Sequence, residues 1–248
     1  MFHFFISKIQ RAFTFAEVMT VLLLIGVVMV LTLPSIQNSY IVNVTKTSFV
    51  DTMKEFNKGL TNYSIKDNSY KKLIETDLFS GDFAEKISAQ FSPKHIGIDC
   101  WNGINIKQNL DGNGDQIDMS SLSCFVDGDE TIYAFEIFGT ESPCTTDLYN
   151  GAGKHKLKKS CGILYFDYNG KKAPNTFGKD VFAFIITDAA SSFLYPVGGK
   201  LMSAIDDNES IMDGISTWEN SCGENGNKDG RTCAGRIVDE DMKIKYFK

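Results

Sequence analysis

Three patterns of apolar and polar positions follow one another along the chain. The first is an almost uncharged run. In "RAFTFAEVMTVLLLIGVVMVLTLP" and on to Thr45, Glu17 is the only charged residue after Arg11. Positions 13–33 would form a helix of about 31 Å, long enough to cross the hydrocarbon core of a bilayer. In the second pattern Phe49, Met53, Phe56, Leu60 and Tyr63 recur at steps of four, three, four and three. That spacing predicts a helix with one apolar stripe; Lys46, Asp51, Lys54, Glu55 and Lys58 lie off the stripe. Pro34 stands between the two patterns. It predicts a break or bend, or a helix end at a membrane boundary.

The third pattern is a set of short runs rich in Ile, Val, Phe and Tyr, bounded by Gly, Asp and Asn. They are "TIYAFEIF" (131–138), "GILYFDY" (162–168), "VFAFIIT" (181–187) and "MKIKYF" (242–247). Such runs predict antiparallel strands. Residues 65–130 are less regular, with a short helix expected within "DLFSGDFAEKISAQF" (77–91). The expected fold class is α+β. A long N-terminal helix, membrane-spanning over 13–35 and amphipathic over 36–64, packs on an antiparallel sheet within a globular domain at 65–248.

Composition adds the compartment. The chain has 248 residues, 43% hydrophobic and 23% charged, as expected of an ordinary globular body. A net charge of −6 argues against a general nucleic-acid binder. Six cysteines are present, without a Cys-x-x-Cys pair, and His3, His95 and His155 lie away from zinc-ligand spacing. An even cysteine count without metal spacing points to disulfides and an oxidising compartment. Fifteen pairings are possible. Pairing of neighbours is the simplest: Cys100 with Cys124, Cys144 with Cys161, and Cys222 with Cys233 around the compact polar loop "CGENGNKDGRTC". Lys8 and Arg11 precede the apolar run, so the chain beyond it is expected on the far side of the membrane. A cleavable secretory signal would have a shorter apolar region and a small-residue site after it. A plain membrane anchor fits the length but leaves Glu17 unexplained, since a carboxylate in a membrane helix usually has a partner.

These N-terminal residues resemble the start of type IV prepilins and type II secretion pseudopilins. In that family a short basic leader ends just before a phenylalanine, a threonine follows, and a glutamate stands fifth after the cut. Phe13, Thr14 and Glu17 fit a cut after Ala12, leaving 1–12 as the leader. The match continues through Met19, Val21, Ile25 and Gly26, and Pro34 occupies the position of the family's proline. Two positions depart from the pattern. Ala12 replaces the preferred glycine, and Phe15 and Ala16 stand where aliphatic residues are usual. The motif covers about a tenth of the chain. The stretches "FDYNGKKAPNTFGKDVFAF" and "CAGRIVDEDMKIKY" also resemble segments of pilin-like proteins.

The resemblance implies a pilin-like fold, processing by a prepilin peptidase, and N-methylation of Phe13. It implies assembly on an inner-membrane platform into a filament of this chain and other pilins or pseudopilins. The helix would be stored in the lipid bilayer and the C-terminal domain would lie in the periplasm or outside the cell. Glu17 would then face the amine of Phe13 on a neighbouring subunit and fix the axial register. Gly26 and Pro34 would let the helix extend or loosen. A C-terminal disulfide is frequent in pilins, which favours Cys222–Cys233.

Three loops have partial calcium spacing. In "DGNGDQIDMSSL", Asp111, Asn113 and Asp115 take the first, third and fifth places, with Asp118 as a substitute ligand. Gln116 and Leu122 occupy places that a full calcium loop reserves for Gly and Glu. Asn225, Asn227 and Asp229 repeat the spacing, and Asp167, Asn169 and Asp180 form a third set. Calcium is the one cofactor these loops suggest; the competing reading of each is an Asx–Gly turn, which needs no ion. "KHKLKK" (154–159) is either a contact for anionic surfaces or a solvated loop. No serine-hydrolase, zinc-protease or phosphate-loop motif occurs, so an enzyme is not expected. The leading expectation is a filament subunit, its size favouring a minor one. The alternative is a membrane-anchored extracytoplasmic binding or adhesion domain that does not polymerise.

Overall fold

The structure, a computed structural model, describes residues 14–246 except 67–68, 140–141, 190–191 and 224–227. Its longest element is helix α1, Phe15–Ser64, which is continuous through Pro34, where a break or bend, or a helix end, was expected. Proline removes one backbone donor, and the bonded turns on either side carry the helix across that gap. The chain divides into two units. The first covers α1 as far as Asn43; the second is Val44–Phe247.

In the second unit the remainder of α1 is followed by a two-stranded ribbon, β1 (Ile65–Lys66) and β2 (Ser69–Tyr70). Helix α2 (Phe83–Ser88) comes next, capped by Asp82, whose carboxylate accepts from the amides of Ala84 and Glu85. It lies within the segment expected to be helical. Strands β3 (His95–Gly97), β4 (Ile106–Lys107), β5 (Gln116–Ile117), β6 (Ser123–Val126), β7 (Ile132–Ile137), β8 (Ser160–Asp167), β9 (Val181–Thr187) and β10 (Leu194–Pro196) follow. A short helix, α3 (Cys233–Asp239), comes near the end. Six strands form one sheet in the order β10-β9-β8-β7-β6-β3, and every pairing in it is antiparallel. Strands β4 and β5 pair separately.

The central strands read as continuous apolar runs because both faces of the sheet are covered. Toward α1 the sheet presents Phe125, Tyr133, Phe135, Phe166, Phe182 and Phe184. Phe49 meets Phe182 and Phe184 with ring centroids 4.9 and 5.4 Å apart. Phe56 stands 5.4 Å from Tyr133 and 5.7 Å from Phe135. The alternate residues Ala134, Ile163, Tyr165, Val181, Ala183 and Ile185 face a second core with Trp101, Phe177, Val197 and Met212. Of the predicted stripe, Phe49, Phe56 and Leu60 are fully buried.

One strand was misread. Residues 242–246 form no strand. Asp241 and Met242 turn back with positive φ, and the amide of Met242 donates to the Ile237 carbonyl. Ile244 and Tyr246 alternate with lysines because they are two separate anchors; the Tyr246 hydroxyl donates to the Gly178 carbonyl.

Glu55, on the polar side of α1, faces like charges. Its partial burial raises its carboxyl pKa, and Asp127, Asp129 and Asp51 add to the effect while Lys58 opposes it. A raised folded-state value means stability that is complete below the ordinary carboxyl range and lost as pH rises through the raised value. Glu55→Gln is therefore expected to raise the melting temperature at about pH 7 and leave it unchanged at about pH 4. Because the group is solvent-screened, the gain should stay under about 1 kcal/mol, or about 2–4 °C. Thermal unfolding of the two proteins at both pH values measures it.

Candidate functional site

Of the residues singled out at the N-terminus, Thr14 and Glu17 lie at the start of α1. Ala12 and Phe13 fall outside the described residues. Thr14 caps the helix: the Glu17 carboxylate accepts from the Thr14 amide (2.8 Å) and hydroxyl (2.9 Å), and the Glu17 amide donates back to Thr14 Oγ1 (3.3 Å). This is a reciprocal capping box, which satisfies two otherwise orphaned helix-start donors. Glu17 thus has a local role that the one-residue-at-a-time reading missed, although the Thr-x-x-Glu spacing is its usual signature.

Beyond Glu17 the helix is apolar all round. Phe15, Leu23, Val30 and Leu31 are each more than two-thirds exposed. An 18-residue window of α1 is apolar and long enough to cross a membrane, and none of it is buried within the chain. The hydroxyls of Thr20 and Thr32 donate to the carbonyls of Ala16 and Val28, at 2.8 and 2.9 Å. Both polar side chains of the run are therefore satisfied by their own helix, as hydrocarbon surroundings demand. A Cβ added at Gly26 would meet nothing within 4 Å, so within the chain Gly26 makes no close approach. Pro34 lies inside α1.

All six cysteines are bonded as neighbours, Cys100–Cys124, Cys144–Cys161 and Cys222–Cys233. The first joins the loop after β3 to β6, the second the approach to β8 to its edge, and the third the start of α3 to the preceding loop.

The calcium loops fare differently. Asp111 is engaged by the amide of Asn113 and by Lys228, whose Nζ lies 3.1 Å away. Asp118 accepts from the amide of Ser120. Asp111, Asn113, Asp115 and Asp118 are exposed, and no three His, Cys, Asp or Glu side chains gather among the described residues. The 111–122 loop is a pair of Asx turns closed by a lysine, not an assembled ligand set. In the second loop Asn225 and Asn227 lie outside the described residues, and Asp229 is held by Arg231 at 2.7 Å and by Gln108 at 2.9 Å. The third set is different, with Asp167 and Asp180 buried side by side. Burial pushes the Asp167 carboxyl well above its usual range, helped by Asp180, and pushes Asp180 up to about 6.

In the basic stretch 154–159, Lys154 and Lys159 are exposed while Lys156 and Lys158 are engaged within the domain. Lys156 turns inward and donates to the Leu194 carbonyl at 2.7 Å, and burial lowers its pKa. Lys158 pairs with Asp147 at 3.9 Å, and the His155 ring stacks on Tyr149.

Compared with protein-family models, with curated proteins and with solved structures, the chain matches none.

Proposed function

We propose that the chain is a structural subunit of a type IV pilus-like filament or type II secretion pseudopilus, matured by a prepilin peptidase. The observation that carries this reading is the set Phe13, Thr14, Glu17, Gly26 and Pro34 at family spacing. Thr14 and Glu17 stand at the head of a helix whose first half is apolar and unburied. The plan of the rest supports it. The second half of α1 docks its stripe on an antiparallel sheet, and three disulfides suit an extracytoplasmic domain. The mechanism is storage in the bilayer, removal of 1–12, and bundling of the exposed apolar helices in a shared core. The partners are copies of itself, other pilins or pseudopilins, the peptidase and an inner-membrane assembly platform. No reacting group is assigned.

N-terminal sequencing and intact mass of membrane-extracted protein test the reading. The expected result is a chain that begins at Phe13 and carries an N-methyl group. A mature chain that retains Lys8 and Arg11 overturns it.

One observation favours a second reading, a membrane-anchored binding domain that never polymerises. Thr14 satisfies the Glu17 carboxylate within the same chain, so Glu17 does not require a neighbouring subunit. Retention of Met1 is the outcome expected of that protein.

A further inference from the structure

The sequence holds three Asn-x-Ser/Thr triplets, Asn43-Val44-Thr45, Asn62-Tyr63-Ser64 and Asn208-Glu209-Ser210. In an extracytoplasmic domain such a triplet is an acceptor for an N-linked glycan. A transferase must hold the asparagine amide and the hydroxyl two residues on at the same time. The fold separates the three. The first two lie within α1, where residues two apart do not face one another. Their hydroxyls are also buried. Thr45 bonds the Tyr168 hydroxyl at 3.1 Å, and Ser64 donates to the Thr61 carbonyl at 2.7 Å.

Asn208 is placed differently. It is exposed, as are Asp206, Asp207 and Glu209 around it. It sits in a β-turn closed by the Ser210 amide, which donates to the Asp207 carbonyl at 2.9 Å. The turn belongs to the connection between β10 and α3, in which residues 203–217 form neither helix nor strand. A sugar on Asn208 would project into water and displace nothing from the core.

In the folded unit the Ser210 hydroxyl turns inward and accepts from the Met212 amide at 3.1 Å. Transfer therefore belongs before the loop closes. That closure comes late in the order of the chain. Arg231 donates to the Ile211 carbonyl at 2.8 Å from 20 positions further along. A chain delivered N-terminus first presents Asn208 before Arg231 arrives. A helix closes on itself within about a microsecond, so the triplets in α1 have no such interval.

We propose that Asn208 is an N-glycosylation site, modified during export by a membrane transferase. The donor is an oligosaccharide joined through pyrophosphate to a lipid. The Asn208 amide nitrogen attacks the anomeric carbon of the first sugar. The new C–N bond forms as the C–O bond to pyrophosphate breaks. The lipid pyrophosphate leaves with the electron pair, and the amide proton passes to a base of the transferase. Asp206, Asp207 and Glu209 flank the acceptor, so the groove that reads it carries positive charge. The inference rests on export of the second unit, which the filament subunit and the anchored domain share, and not on polymerisation.

Peptide mass spectrometry of the full chain extracted from its own cells tests it, with cysteine oxidation read in the same digest. The peptide containing Asn208 is expected to carry a sugar mass, with sugar fragment ions, and the peptides containing Asn43 and Asn62 to carry none. Asn208→Gln and Ser210→Ala should each remove the addition; Asn208→Gln, at an exposed turn, should do so without loss of folded protein. Asp206→Lys should lower occupancy about fivefold or more, and unchanged occupancy overturns the charged groove. Oxidised cysteines with an unmodified Asn208 overturn the inference and leave export standing. Reduced cysteines overturn export and the inference with it. A sugar mass that persists in Asn208→Gln, or equal occupancy at Asn43 or Asn62, overturns the assignment to Asn208.

Discussion

Glu17→Gln is expected to reach the membrane at wild-type abundance and to be nearly absent from a sheared-filament fraction. The substitution separates two roles that the structure brings together in one carboxylate. As the third residue of a capping box, glutamine serves almost as well as glutamate, so the start of α1 should hold. What glutamine cannot supply is charge. Near a membrane surface a lone subunit can turn that charge toward water. Inside a bundle of apolar helices it cannot, and there it needs a cation, which the proposed function supplies as the amine freed by cutting before Phe13. Removing one member of a buried pair leaves the other unmatched, a loss of about 3–5 kcal/mol in buried pairs generally. Thr14→Ala is the complementary variant. It breaks the box, costs about 1 kcal/mol of helix-start stability, and keeps the charge, so it should still enter filaments. Immunoblots of sheared and membrane fractions measure both. Filament levels of Glu17→Gln equal to wild type would reduce Glu17 to a helix cap.

Phe56→Ala should lower the melting temperature of the globular unit by about 10 °C. Phe56 is fully buried, and its ring contacts those of Phe91, Tyr133 and Phe135 with centroids 5.4 to 5.7 Å apart. Truncating a buried phenylalanine costs about 3–5 kcal/mol, the transfer term plus the cavity left behind. Here the cavity would open where α1 docks on the sheet, so the stripe loses its central contact. Phe15→Ala is the control: the same change at a side chain 77% exposed should leave the unit's melting temperature as it was. Near-UV circular dichroism on heating reads both. A shift below about 2 °C for Phe56→Ala would show that the ring cluster does not hold the helix.

Phe56 was legible in the sequence for the reason that makes it matter. A helix packed on one side writes its contact face as a four-three repeat, and Phe49, Phe56 and Leu60 follow that repeat into the core. Strands β7, β8 and β9 were legible because their central residues are buried on both faces and so form nearly continuous apolar runs. The short strands β3, β6 and β10 were not. Three or four residues give no period, and β10 ends in Pro196, tolerated because that strand is an edge. Helix α3 was invisible too, since Gly235 lies inside it. That glycine is there for packing: a Cβ would run into the backbone of Gly198 and Gly199. The metal candidates show the same limit. Asp111 has calcium spacing, yet its carboxylate is taken by Lys228, a residue 117 positions away.

Each disulfide joins a cysteine to the next one along the chain, across separations of 24, 17 and 11 residues. No bridge encloses or crosses another. A chain delivered into an oxidising compartment from its N-terminal side therefore presents its cysteines in pairing order. Cys100 is answered by Cys124 before Cys144 arrives, and Cys144 by Cys161 before Cys222. Each newly exposed thiol finds at most one unpaired predecessor, and that predecessor is its native partner. Oxidation in order of arrival thus yields the native pattern, and a catalyst able only to form bonds, with no capacity to reshuffle them, is sufficient to complete it.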